Sequence, residues 1–204
     1  SNEDAAKCAR TAATLYGSLG QFPEQQNCLR TCGIQLNRAR QPEAAERAFA
    51  EGAQISHPDV DPKDLAWLLL NRGINLAGLD RQHEAIPHLH EAESICEQHQ
   101  FMVVLGLVQN SLGRSYKQID QYDDAERHLR RAVEIHTSDD NSAELANALI
   151  EIADIAVRRE NFQESLPLYE HALGLRPGSQ ALTSGDYRTQ ADFRNRYSFA
   201  LNGA

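Results

Sequence analysis

The chain lacks the local patterns that catalysis needs. None of its 204 residues forms a GxSxG elbow, an HExxH metal pair, a phosphate loop or a GxGxxG turn, so no catalytic residue and no cofactor site is expected. Carboxylates are plentiful but spread along outer helix faces, the pattern of a solvated surface. No apolar stretch approaches the ~20 residues of a membrane span, and no signal-peptide pattern opens the chain. A net charge of −9 argues against direct nucleic-acid binding. The four cysteines lack the spacing of a disulfide framework, which points to a reducing, cytoplasmic setting. With 41% hydrophobic and 24% charged residues, the composition suits a folded globular chain.

What the sequence does have is an internal repeat. The stretch from Leu112 to Ile135 matches itself when moved by forty residues in either direction. Gly33, Gly73, Gly113 and Ala153 form one ladder of small residues. Ala45, Ala85, Ala125 and Ser165 form a second, and Gly52, Ala92, Ala132 and Ala172 a third. Large apolar side chains repeat at Phe49, Leu89, Leu129 and Tyr169, and again at Ile55, Ile95, Ile135 and Leu175. Two helices approach closely only where facing side chains are small, and large neighbours then fill the space beside the crossing. One helix pair cannot bury both of its faces, so pairs stack along an axis.

These residues carry a family resemblance. Gly113, Tyr116, Ala125, Leu129 and Ala132, with Pro177 after the fourth copy, resemble the signature of the tetratricopeptide repeat. That repeat has about 34 residues. The longer period here is similar to the long-helix variants of kinesin light chains, spindle-orientation adaptors and bacterial peptide-sensing regulators. Pro87 and Pro167 sit early in their second helices, as in kinesin light chains, where a proline costs few backbone bonds. Arg72 stands where the family usually has Leu, and the first copy lacks the aromatic that Tyr116 provides in the third. The resemblance covers about 26–175 and implies an all-α, right-handed superhelical solenoid of antiparallel helix pairs.

In chain order, Asp4 to Leu19 is expected to be a helix with Ala9, Ala12, Ala13 and Tyr16 on one face. It is read as an N-terminal cap (1–22) or as the second helix of an upstream repeat. Four pairs follow within 23–177: 24–39 with 42–55, 62–79 with 82–98, 101–119 with 122–137, and 141–159 with 162–175. Asp61 before Pro62 is an expected N-cap, and Asn141 with Glu144 and Asn161 with Glu164 are expected capping boxes. The segment 178–204 reads as a linker and a C-terminal capping helix carrying Phe193, Tyr197, Ala200 and Leu201.

Cys28 and Cys32 share a helix face but are too few for a zinc site, and read as small buried thiols. His88 and His90, two residues apart, point to different faces, so no metal is assigned to them or to His83.

The resemblance implies that the first helix of each pair lines a concave groove. The residues it places there include Asn37, Trp67, Asn71, Asn110, Arg114, Lys117, Asn147 and Arg158. Asn both donates to and accepts from a peptide backbone, and Arg and Lys grip carboxylates. Helix 101–119 holds Arg114 and Lys117 and no acidic residue, which suggests a basic stripe. The expected function is a non-enzymatic scaffold that binds a protein or peptide ligand bearing acidic groups. The alternative is a sensor arm of a larger signalling protein or transcription regulator. A third reading is self-association through the terminal helices.

Overall fold

The computed structural model describes residues 1–175 together with Ser198 and Ala200. Its first nine helices are α1 (Asn2–Ser18), α2 (Phe22–Arg38), α3 (Pro42–Ala53), α4 (Pro62–Gly78), α5 (Gln82–His99), α6 (Met102–Gln118), α7 (Tyr122–Ser138), α8 (Ser142–Arg158) and α9 (Phe162–Leu175). Each starts twenty residues after the one before, so the forty-residue period is two strokes of twenty.

The turns keep the same beat. Gly20, Arg40, Asp80, Gln100, Asp120, Asp140 and Glu160 all have positive φ, between 52° and 70°. In each case the next residue donates its N–H back across the turn, as Gln121 N does to Tyr116 O (3.0 Å) and Asn161 N to Ala156 O (2.8 Å). This is the Schellman arrangement, which satisfies a carbonyl that the helix end leaves open. The left-handed residue reverses the chain within three residues and makes consecutive helices antiparallel. Only one boundary differs: α3 stops at Ala53, and 54–61 form a longer connection in which His57 stacks on Phe22 with ring centroids 4.5 Å apart.

The repeated ladders meet one another as their chemistry requires. A Cβ at Gly33 would lie 2.5 Å from Phe49 Cε1, and one at Gly73 would lie 2.5 Å from Leu89 Cδ2. Gly113 meets Leu129 in the same way. The second and third ladders are buried at all four levels. Arg72, the departure in the second copy, is accommodated by Glu46 on the preceding second helix, Nε to Oε1 2.8 Å. The array is thus an all-α solenoid of antiparallel helix pairs, as expected.

Two local expectations change, and a third falls outside the described residues. α1 buries Ala6 and Ala13, while Ala9, Ala12 and Tyr16 are half-buried. Its packed face is turned toward α2 and α3, because no first helix lies on its other side among the described residues. Asn141 caps α8 by accepting from Glu144 N, but Glu144 sends its carboxylate to Asn110 and Asn147 instead of closing a box. The expected C-terminal capping helix lies outside the described residues except for Ser198 and Ala200, and Ala200 is fully buried against α8 and α9.

Candidate binding groove

Successive first helices touch: α2 with α4, α4 with α6, and α6 with α8. Among the described residues, the backbones of successive second helices stay farther apart, and only their long side chains meet, as Arg131 does Glu97 at 2.5 Å. The first helices therefore form the inner, more tightly curved wall. On each of them the positions left open by packing recur at helical spacing, one stripe per helix. α2 contributes Asn27, Thr31, Ile34 and Arg38; α4 contributes Trp67, Asn71, Ile74 and Gly78. α6 contributes Leu107, Ser111, Arg114 and Gln118; α8 contributes Asn147, Glu151, Asp154 and Arg158. All are exposed or half-buried.

Between α4 and α6 this wall opens into a cleft of about 200 Å³, lined by Ile74, Ala77, Gly78, Ser111, Arg114, Ser115 and Gln118. Ile74 is 49% exposed, unusual for so apolar a side chain. Ser115 is buried and its hydroxyl has no hydrogen-bond partner in the protein. Gln118 is held by Gln82.

The residues expected in the groove separate into two kinds. Arg114 stands at the mouth of the cleft, its side chain 66% exposed and its Nε 3.4 Å from Glu151. Asn147 and Arg158 also lie on this wall, with Arg158 3.5 Å from the Tyr122 hydroxyl, while Asn37 is half-buried beside the stripe in the register of Ala77 and Lys117. Asn71 donates to the Trp67 carbonyl (2.7 Å), and Trp67 rests half-buried on the α4–α6 core. Lys117 and Asn110 are used inside the fold. Lys117, only 13% exposed, is bound to Glu151 and lies 3.0 Å from Asp154, whose other oxygen accepts from the Tyr169 hydroxyl (2.6 Å). Asn110 is buried between α6, α7 and α8, where its amide donates toward His136 (3.3 Å) and Glu144 (3.2 Å). The expected basic stripe is thereby corrected: α8 supplies the counter-charges, and Arg38, Arg114 and Arg158 are the cations still exposed on the wall. Leu107 was missed, although it stands forty residues from both Trp67 and Asn147.

The second helices carry a polar network on the opposite side. His90 binds Glu93 and the Tyr116 hydroxyl, each at 2.8 Å. His128 binds Gln109 (2.7 Å) and stacks on Tyr116, with ring centroids 5.4 Å apart. Burial pushes His128 down to about 4, so it is neutral at neutral pH, and the nearby Glu93 only partly opposes this. Burial also raises the Cys32 thiol and takes Cys96 to about 11, which leaves both inert. Cys28 is half-buried. His83 is exposed and His88 half-buried near Glu91. No metal-binding group of three side chains occurs among the described residues, and no described helix is long and apolar enough to cross a membrane.

Twenty-residue strokes, Schellman turns and small-to-large crossings define a helix-pair repeat protein with a concave wall. Residues 105–177 match the model of the Tetratricopeptide repeat family. The same forty-residue register runs through the other helix pairs, so the rest of the array resembles the matched repeats. Among solved structures it is similar to BtubC (BKLC) from P. vanneervenii, with TM-score 0.76 and 13% identity over 100% of this chain and 88% of that one. It is also similar to the apo form of RapI (TM-score 0.59, 15% identity, 98% and 68% covered). A third similar structure is the MamA RS-1 ArsTM double mutant (TM-score 0.57, 20% identity, 87% and 93% covered). No protein of curated function matches the sequence.

Proposed function

We propose that this chain is a non-catalytic interaction scaffold whose concave wall binds a peptide segment with an apolar anchor next to an acidic residue. The observation that carries the reading is the cleft between α4 and α6. It joins an exposed aliphatic side chain, Ile74, to an exposed guanidinium, Arg114, with the unpartnered Ser115 hydroxyl between the same helices. An apolar side chain entering there removes Ile74 from water, and a neighbouring carboxylate meets Arg114 in fork geometry. Asn27, Asn37 and Asn147 offer donors and acceptors for a ligand backbone. Glu151 is already neutralised by Lys117, which leaves the exposed Arg114 guanidinium open to a second carboxylate.

The test is selection of a random peptide library on the wild-type chain, with binding then measured on Ile74→Asp and Arg114→Glu. Enriched peptides should pair an aliphatic or aromatic residue with Asp or Glu, and each variant should weaken them by about tenfold or more. Peptides that bind both variants as tightly as the wild type would refute the reading.

A further inference from the structure

The same structural slot recurs where a second helix, the next first helix and the next second helix meet on the outer side. In the third pair it is filled by three rings, His90, Tyr116 and His128, with His128 5.7 Å from His90 and 5.4 Å from Tyr116 between ring centroids. In the second pair it holds Leu76 and His88 beside the Arg72–Glu46 ion pair. Eighty residues before the three rings stand Arg10, Leu36 and Ala48. None of the three is a ring, and beside Arg10 and Leu36 a cavity of about 380 Å³ opens between α1 and α2.

We propose that this cavity binds a small aromatic carboxylate. Its floor is apolar, with Ala6 and Cys32 buried, Leu36 half-buried and Ala48 packed behind them, and its rim is polar, formed by Glu3, Lys7, Arg10, Thr11 and Gln41. Two cations stand at the mouth. Lys7 is exposed, and Arg10 reaches Glu51 on α3 as well as the Cys32 thiol. Of the two carboxylates nearby, Glu51 is neutralised by Arg10, and Glu3 accepts from Gln41 Nε2 (2.9 Å). Burial keeps the Cys32 thiol protonated, so it does not repel an anion. A ring against this floor with its carboxylate toward Lys7 and Arg10 buries apolar area and sets the charge beside the exposed Lys7 ammonium, with Arg10 shared between it and Glu51. The site lies outside the concave wall, so its failure leaves the groove reading untouched.

The experiment titrates 3-phenylpropionate into the whole chain and follows the methyl resonances of Ala6, Leu36 and Ala48 by NMR. Saturable shifts confined to α1, α2 and the start of α3 are expected. Leu36→Tyr with Ala48→His copies the ring packing of the third pair into the slot and should abolish them. Lys7→Glu, on an exposed position that folding does not use, should weaken binding about five- to tenfold. The proposal is overturned if millimolar probe gives no saturable shift, if the shifts lie elsewhere, or if Lys7→Glu leaves the affinity unchanged.

Discussion

Lys117 Nζ and Asp154 Oδ2 lie 3.0 Å apart across the α6–α8 boundary, and both side chains are almost withdrawn from water. Arg114, one turn earlier on the same helix, keeps two thirds of its side chain exposed. Two cations on one face of one helix therefore have different duties. Lys117 ties the third pair to the fourth, and Arg114 faces outward.

Lys117→Met should leave Glu151 and Asp154 without their buried cation and cost about 3 kcal/mol in urea denaturation. Arg114→Ala should stay within about 0.5 kcal/mol of wild type. Equal losses for the two variants would contradict the division.

Gly106 marks a second tight crossing: a Cβ there would lie 2.6 Å from His136 Cε1 and 3.0 Å from Ile135 Cγ2. Gly106→Ala and Gly73→Ala should each cost about 1–3 kcal/mol through overpacking. Gly78→Ala is the control. Nothing stands within 4 Å of its added methyl, so it should be neutral or stabilising by up to about 1 kcal/mol. Thermal melts of the three variants check the pattern.

The turns hold untapped stability. Asp80 and Asp120 sit at φ 59°, where an L side chain costs about 1 kcal/mol. Asp80→Gly and Asp120→Gly should each raise the melting temperature, and Gly20→Ala should lower it.

Acid should loosen the third pair before it titrates most carboxylates. His128 is held at about 4, against its ordinary value of 6.5. Between those values the unfolded chain binds a proton that the folded chain refuses. Its contribution is therefore complete above pH 6.5 and lost as pH falls toward 4. His136 and His88 shift in the same direction, mainly through burial. Denaturation of the wild type and His128→Phe at pH 7.5 and 5.5 should show a shallower pH slope for the variant, by up to about 1.4 kcal/mol per unit. Identical slopes would mean that His128 titrates normally.

The architecture was legible because the glycines of the first ladder each face a large residue that forty-residue arithmetic also identifies, as Gly73 does Leu89. The turn geometry was not, since Asp80, Gln100, Asp120 and Glu160 occupy left-handed positions where glycine is the usual signal. The groove was half legible. Counting charge along helix α6 shows Arg114 and Lys117 but cannot show that Glu151 and Asp154 reach across from α8. The family resemblance places Asn110 in the groove, yet its register partners Leu70 and Ile150 are buried, and that periodic signal outweighs both the resemblance and the polarity of the side chain. His90 invited comparison with its helix neighbours, whereas its partner Tyr116 comes from the next helix.

The most direct test of the concave-wall account is site-specific photo-crosslinking to the peptide selected on the wild-type chain. One benzophenone probe replaces Gln118 on the inner wall, and another replaces Glu134, exposed on the outer helix α7. The account predicts efficient crosslinking from position 118, its loss when Arg114→Glu is added, and none from position 134. Crosslinking from 134 with none from 118 would contradict it.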